Sequence, residues 1–265
     1  MALGGSNEEN IIIDGILLNG VQNVSFSQIV SEDVVSILGG DFVGTNITAP
    51  TTTTVSIDKL LLNSDYVTGL TGSHNISGQF QYGTNNLNFE QACINSYAVS
   101  AAVNELPEIS FDLSIYGNIS GNENSFVSSA LKEDLIEKVS QQGLIATFDK
   151  TPTNSVQSFS FSETFNVQPL YSLGEKIPSQ ISTVGLIVQE VTINIEVEDY
   201  EFENNFSFLS GSKDRNRNIK LEISGESGIL NAFEMVNGIL INEQMVVGVS
   251  NTMVASLTYR GYKDN

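Results

Sequence analysis

Acidic side chains are the groups with which this chain could most readily do chemistry. The pair Glu32-Asp33 and the run EVEDYEFE, from Glu196 to Glu203, bring carboxylates close enough for general acid–base catalysis, and the run could also bind calcium. In the run, however, acidic residues alternate with apolar ones, as they do on a strand with one solvated face. The run also lacks the Gly and Glu spacing of an EF-hand loop. The sequence therefore favours a solvated strand and leaves calcium binding open.

The other reactive residues do not predict an active site. The chain has one histidine, His74, which excludes multi-histidine metal sites, and no serine lies in a G-x-S-x-G motif beside which His74 could act. P-loop and H-E-x-x-H motifs are absent from the sequence. The single cysteine, Cys93, excludes an internal disulfide and a cysteine-based zinc site. We therefore expect a protein that is not an enzyme and holds no cofactor.

The charge balance bears on possible partners. The chain has 31 acidic and 11 basic residues, a net charge of −20 and a pI near 4.1. Tight DNA binding is not expected, because Lys and Arg contacts to phosphate supply most of that affinity. The apolar stretch IIIDGILL is interrupted by Asp14 and Gly15 and follows Glu8 and Glu9, so it predicts neither a membrane span nor a secretory signal. The expected place of assembly is a cytoplasm.

A short string occurs twice. VQNVSFSQ, from Val21 to Gln28, returns as VQSFSFSE, from Val156 to Glu163, 135 positions later with five of eight residues identical. Both copies alternate apolar and polar residues with the period of a strand. Both also interrupt the apolar face at the same position, with Gln28 and with Glu163. The shared irregularity indicates a true duplication.

The repeated strand predicts two faces. Phe26 and Phe161 fall on the apolar face, and we expect them at equivalent buried positions. Ser25 and Ser160 fall on the polar face. Further matches keep their order while the offset between copies grows: TVSID (Thr54 to Asp58) with EVTIN (Glu190 to Asn194), LTGS (Leu70 to Ser73) with LSGS (Leu209 to Ser212), and ISFDLSIYGN (Ile109 to Asn118) with MVASLTYRGY (Met253 to Tyr262).

The duplication predicts a mainly β fold with two tandem homologous β-sandwich or β-barrel domains, and with a helix between or flanking them. The helix is predicted in SSALKEDLIEKVSQQG, from Ser128 to Gly143, where apolar residues follow helical spacing and a glycine closes the run. The predicted division is residues 1–19 as an N-terminal segment, 20–120 as the first domain, 121–154 as a linker with the helix, and 155–265 as the second domain.

The first copy also resembles a known family. The stretch LNGVQNVSFSQIVSEDVVSILGGDFVGTNITAPTTTTVSIDKLL, from Leu18 to Leu61, resembles the opening of tail tube proteins of tailed bacteriophages. Those proteins often begin with a GVQ-V-S strand, continue to a Leu-Gly turn and a loop, and then have a strand like VSIDKLL. The second copy, from Ser155 to Val197, repeats this outline more loosely. The resemblance covers mainly the first half of each copy.

This resemblance implies a virion structural protein. Tube domains of the family are small β-sandwiches or barrels with a flanking helix, which close side by side into six-fold rings and stack into a hollow tube that conducts DNA. Some members carry two such domains and build the ring from three chains, and the duplication here is similar to that case. The implied partners are further copies of the chain and other tail proteins, with DNA passing through without specific binding. A tube-like neck or baseplate protein is an alternative, and so is an adhesin-like or decoration β-sandwich that acts as a binding module on a virion or cell surface.

Two sets of residues are predicted to act in assembly. Long connections, 41–54 and 176–189, follow the turns at Leu38-Gly39 and Leu173-Gly174. Loops of this length are usually functional or disordered. We expect contacts between subunits or stacked rings from Asp41, Phe42, Thr45, Thr51, Thr52, Lys176, Ile177, Gln180 and Ile181. In the cluster KDRNR, we expect Lys213, Arg215 and Arg217 on a loop away from an acidic lumen, facing an acidic neighbour at a subunit junction or solvent.

Overall fold

The computed structural model describes residues 10–29, 32–36, 42–47, 52–61, 66–73, 75–82, 85–122, 137–173, 175–197, 216–226, 228–247 and 253–264. These residues form a mainly β structure, as predicted. One short 3-10 helix, Val67–Leu70, lies between strands. Within these ranges, no helix has the length and apolar character needed to cross a membrane.

Ten strands come from the described residues of the first half of the chain. They are β1 (Asn10–Ile13), β2 (Ile16–Leu17), β3 (Val21–Ile29), β4 (Glu32–Ser36), β5 (Phe42–Ile47), β6 (Thr52–Leu60), β7 (Ile76–Tyr82), β8 (Asn85–Ala102), β9 (Glu108–Ile115) and β10 (Ile119–Asn122).

Nine strands come from the described residues of the second half. They are β11 (Leu144–Phe148), β12 (Thr151–Thr153), β13 (Val156–Thr164), β14 (Val167–Leu170), β15 (Gln180–Thr183), β16 (Ile187–Val197), β17 (Asn216–Gly225), β18 (Gly228–Val247) and β19 (Met253–Lys263).

Strand order is the same in the two halves, apart from β10, which pairs with β8 and has no counterpart among the described strands of the second half. Paired strands follow β3-β6-β9-β8-β7-β1-β2 in the first half and β13-β16-β19-β18-β17-β11-β12 in the second. Each half also has a separate two-stranded hairpin after its first long strand, β4–β5 and β14–β15. This match supports the duplication inferred from the sequence. The halves are nevertheless joined in one 15-stranded sheet, because β8 pairs with β13, and the division into two domains stays a prediction.

Backbone irregularities recur at equivalent positions. The pairing of β3 with β6 shifts between Val21 and Asn23, and that of β13 with β16 shifts between Val156 and Ser158. The glutamine between these residues in each copy of the repeated string is therefore the extra residue of a β-bulge. The conserved bulge gives a structural reason for the repeated Val-Gln.

The first hairpin of each half has a two-residue turn that begins with an aspartate. Asp14 and Asp149 both have positive φ, at 47° and 57°, a conformation that aspartate tolerates better than most residues. Asp14 Oδ1 accepts the backbone N–H of Ser77 at 2.8 Å, and Asp149 Oδ1 accepts that of Asn218 at 3.0 Å. These hairpins, β1–β2 and β11–β12, begin before the predicted domain starts at residues 20 and 155, and each pairs with its own half.

The described part of the predicted helix, 137–143, is not helical, and residues 128–136 lie outside the described residues. Backbone groups of the described part bond elsewhere: Val139 N–H donates to the Glu105 carbonyl at 2.9 Å, and Ser140 N–H donates to the Ser224 carbonyl at 3.2 Å. The segment therefore bridges the β8–β9 turn of the first half and the end of β17.

The last strand matches its counterpart at a larger offset than predicted. Val55 and Val191 are equivalent, since they lie opposite Phe26 and Phe161, and their other partners are Leu113 and Tyr259. The offset is thus 146, not 143 to 144. The error arose because a two-residue shift leaves the strand period unchanged. The LSGS string, 209–212, lies outside the described residues.

Burial of the two phenylalanines differs. Phe161 is 3 % exposed, as predicted, but Phe26 is 49 % exposed, so the prediction of a buried Phe26 is wrong. The Phe26 ring does contact Phe80 of β7 at a centroid distance of 4.8 Å. Because β3 and β7 are not paired, this contact shows two layers packed face to face. The physical cause of the difference is the number of neighbouring strands: β13 has two, β16 and β8, whereas β3 has only β6 in the described chain.

Candidate assembly surfaces

The junction between the halves is an antiparallel pairing of β8 with β13. Phe161 lies opposite Val99, and Ser160 lies opposite Ser100. On the core side, Phe161 and Val99 are both buried. The junction therefore combines a backbone ladder with an apolar face, which is the arrangement of an interior sheet rather than of a loose domain contact.

This junction extends beyond the ladder. Phe165 N–H donates to the Asn95 carbonyl at 2.8 Å. Burial is the main cause that raises the pKa of the Tyr116 hydroxyl, and Cys93 of β8 and Tyr171 raise it further. Since Tyr171 belongs to the chain after β13, this part of the chain lies near β8. Cys93 is fully buried, and burial raises the pKa of its thiol to about 12, so the thiol is unreactive.

The first outer edge is β3. β13 pairs with β16 on one side and with β8 on the other. Its equivalent β3 pairs with β6 on one side, and no described strand pairs with the other side. The exposed apolar residues of β3 include Phe26 at 49 % and Ile29 at 65 %. An edge of this length with exposed apolar side chains is a ready template for pairing with another strand.

The second outer edge is the C-terminal part of β18, the counterpart of β8. Both strands have a bulge against their neighbour, between Ile94 and Ser96 in β8 and between Leu240 and Asn242 in β18. Val99 of β8 is therefore equivalent to Met245 of β18. Residues 240–247 pair with β19 on one side. On the other side, where the equivalent part of β8 pairs with β13, no described strand pairs with them.

Three exposed residues near this second edge have less exposed equivalents in the first half. Ile239, Ile241 and Tyr262 are 41 %, 47 % and 55 % exposed. Their equivalents are the buried Cys93 and the half-buried Asn95 and Tyr116, and the chain after β13 bonds the Asn95 carbonyl. Within the described chain, the two outer edges thus correspond to the two sides of the internal junction.

A continuous polar face follows eight strands, β3-β6-β9-β8-β13-β16-β19-β18. Its side chains alternate with the buried ones and are mostly Ser, Thr and Asn. Asp112 is central, because Ser56 Oγ and Ser96 Oγ both donate to its carboxylate, at 2.5 and 2.7 Å. The charged residues that the described strands place on this face are Asp58, Glu108, Asp112, Glu190, Glu196 and Arg260.

The single cation of that set is neutralised locally. Arg260 Nη2 lies 2.8 Å from Glu190 Oε2. Its guanidinium pKa is raised by the hydrogen bond to Glu190. Five carboxylates against one paired guanidinium make the described part of the face acidic.

The predicted contact residues lie in or near the hairpins. Phe42 and Thr45 belong to β5 and Thr52 starts β6, so the prediction of a loop is wrong for these residues, as it is for Gln180 and Ile181 of β15. Asp41 and Thr51 lie outside the described residues. In the second half, the hairpin β14–β15 and its connection bring together exposed Lys176 and Gln180 with half-buried Ile177 and Ile181. Their role between subunits stays a prediction.

Sequence reasoning missed the apolar surface of this second hairpin. Leu170, Leu173 and Leu186 are 49 %, 106 % and 50 % exposed. The signal was present in the sequence as leucines among polar turn residues. A single leucine in a loop carries no periodicity, so the sequence pattern does not predict that these side chains are exposed.

The basic cluster is only partly described. Lys213 and Arg215 lie outside the described residues, and Arg217 lies in β17 rather than in a loop, so the loop prediction is wrong for Arg217. Its Nη1 atom bonds Asp149 Oδ2 at 2.8 Å within the same chain. That hydrogen bond is the main reason why the pKa of Asp149 is lowered, followed by the Asn218 N–H.

The remaining candidate chemistry is not assembled into a site. Glu32 and Asp33 lie in β4, whereas His74 and residues 198–203 of the acidic run lie outside the described residues. Among the side chains that are described, no three His, Cys, Asp or Glu could hold a metal ion together. Comparison with protein-family models and with curated proteins gives no match.

Proposed function

We propose that this chain is a self-assembling structural protein of a phage tail, whose copies join into rings that stack into an acidic-lined conduit for DNA. The observation that carries this proposal is the correspondence between the internal junction and the two outer edges. A chain that already joins its two halves by pairing β13 with β8 can join the next chain by pairing β3 with β18. The resemblance of Leu18–Leu61 to tail tube proteins supports the same function.

The pairing between chains follows from the internal register. Because Phe161 lies opposite Val99 inside the chain, Phe26 of one chain lies opposite Met245 of the next. A sulfur–aromatic contact of this kind is favourable. The contact is head to tail, and a head-to-tail contact closes into a ring when its rotation divides a full turn. Three chains per ring, six half-chain repeats, is the number that the resemblance implies.

The polar face suits the wall of a conduit. Ring closure through β3 and β18 makes the eight-stranded polar face continuous from chain to chain. Its carboxylates and hydroxyls offer phosphates little to bind, and the one described cation, Arg260, is paired with Glu190. DNA could therefore pass along such a wall without being held.

The hairpin β14–β15 suits contact between stacked rings. A two-stranded hairpin alone is marginally stable in water, and this one exposes Leu170 and Leu173, with Leu186 exposed in the connection that follows it. Shortening the connection 171–179 to a two-residue turn is expected to preserve rings but to prevent their stacking into tubes. Tubes of normal length from this variant would contradict the stacking role.

Electron microscopy of the purified chain tests the proposal as a whole. Negative staining should show rings or tubes at concentrations where a binding module of the alternative class would show separated monomers. The conduit is tested with Ser160→Lys, which adds a cation to the polar face. At low salt the assembled variant should retain DNA that the unmodified assembly releases, whereas Glu226→Lys, at an exposed turn, should not.

A further inference from the structure

Polar residues interrupt the apolar face of the outer edges, but they differ from those of the internal junction. Inside the chain, Glu163 lies opposite Tyr97 and accepts a hydrogen bond from Gln189 Nε2 at 2.8 Å. Glu163 is 8 % exposed. The equivalent positions at the outer edges are Gln28 on β3 and Glu243 on β18. The acidic residue has thus moved to the opposite strand.

We propose that Gln28 of one chain hydrogen-bonds Glu243 of the next, and that this contact selects the register in which chains join. The inference rests on the proposed ring contact between β3 and β18. Directly opposed side chains on one face of an antiparallel pair have Cβ atoms about 4.5–5.5 Å apart. The Gln28 amide can therefore donate N–H to the Glu243 carboxylate.

The surroundings of Gln28 make this contact selective. Gln28 lines an open groove of about 390 Å³ whose other lining residues are mostly apolar, including Phe26, Phe80 and Phe89. A neighbouring strand on the β3 edge would cover this groove. A carboxylate enclosed there is costly unless a donor is beside it, and of the residues that line the groove Gln28 has the longest polar side chain.

The Glu243 side chain lies on the face that the register requires. Burial is the main cause that raises the pKa of the Tyr259 hydroxyl. Arg217 acts in the opposite direction, and Glu243 and Asp149 raise that pKa further. Glu243 is therefore on the core side of β18, near Tyr259. Arg217 itself is bonded to Asp149 at 2.8 Å.

Other registers lose the contact. A shift of one residue would place Glu243 opposite Ser27 or Ile29, which lie on the other face of β3, since successive side chains alternate. A shift of two residues in one direction places its carboxylate opposite Phe26, which has no donor. Only the register copied from β13 and β8 places an amide opposite the carboxylate.

A charge exchange tests this inference. Gln28→Glu, which introduces the residue that the second half has at this position, should place two carboxylates opposite each other. The chain concentration needed for rings should rise about a hundredfold, as like charges brought together at an interface cost several kcal/mol. Adding Glu243→Gln to that variant should restore ring formation, because the amide and the carboxylate have only changed places.

The matched control is Ser27→Glu, which adds the same charge to the other face of β3, opposite Gln244. It should form rings at nearly the unmodified concentration. Sedimentation velocity measures ring formation. Because Gln28 is exposed, we expect each variant to fold, and circular dichroism checks this. Rings from Gln28→Glu at normal concentration, or no rescue by Glu243→Gln, would overturn the Gln28–Glu243 contact alone. Absence of rings from the unmodified chain would overturn the ring proposal as well.

Discussion

The strands β3 and β13 show how one sequence pattern has two outcomes in the same molecule. Both carry the repeated string, both begin with the same bulge, and both pair with an equivalent strand, β6 or β16. Among the described strands, only β13 has a second neighbour, β8, and Phe161 is buried whereas Phe26 is half exposed. Burial here is decided by a neighbour that lies far away in the sequence. In the proposed ring, the exposed copy is the edge that pairs with a neighbouring chain.

The largest difference between the two strands is expected in core stability. Phe161→Ala should lower the free energy of unfolding by about 3–5 kcal/mol, because it removes a fully buried ring that stacks on Phe233 at 5.0 Å. Phe26→Ala should cost about 1.5 kcal/mol or less in the unassembled chain, since half of its surface is already in water. Urea unfolding below the concentration of ring formation measures both. Equal losses would show that β3 has a neighbour in the isolated chain.

The second edge is expected to affect assembly rather than folding. Ile239→Asp places a charge where the first half has the buried Cys93, and it should raise the concentration needed for rings by about a hundredfold. Val236→Asp is the control, because its equivalent, Glu90, is exposed in the first half. The comparison fails if both variants assemble alike.

A smaller difference is expected between the two equivalent turns. The pKa of Asp149 is lower in the folded chain than its unfolded-state pKa of about 3.9. Its ionised carboxylate therefore stabilises the fold above that pKa, and this stabilisation is lost as pH falls through the folded-state pKa. Asp149→Asn should therefore destabilise the chain at pH 7 by about 1 kcal/mol or less, given the exposure of the pair, and this difference should shrink below about pH 4.

Asp14→Asn provides the matched control for this pH effect. Asp14 makes the same backbone contact, but Ile76 stands where the second half has Arg217. The substitution should change the unfolding free energy less at pH 7. Thermal melts across pH 3–7 decide the matter, and an equal pH dependence of the two variants would remove Arg217 from the explanation.

The smallest effects are expected on the polar face. Ser25→Ala and Ser160→Ala should each change the unfolding free energy by about 0.5 kcal/mol or less, because both hydroxyls point away from the core. A loss comparable with that of Phe161→Ala in either variant would reverse the assignment of faces.

The sequence was sufficient for the strand class and for the alternation of the repeated strand, because strand period is a local signal. It could not predict the exposure of Phe26, since that depends on β8 lying beside β13 and on β3 having only β6 beside it among the described strands. It also misplaced the final strand by two residues, because a shift of two preserves the pattern of faces. The pairing of Arg217 with Asp149 was missed for a related reason, since these residues meet only through the pairing of β11 with β17.

A disulfide between chains measures the pairing of β3 with β18 most directly. Ser27 and Gln244 are the counterparts of Ser162 and Ala98, which lie opposite each other inside the chain. The double variant Ser27→Cys, Gln244→Cys should form chain-to-chain disulfides under mild oxidation at ring-forming concentrations, up to a closed oligomer, while the buried Cys93 stays unreactive. Each single variant, and Ser27→Cys combined with Asn242→Cys, should remain uncrosslinked. Rings that assemble but show no Ser27→Cys, Gln244→Cys crosslink, or that crosslink through Asn242→Cys instead, would contradict the pairing of β3 with β18 in the register of the internal junction.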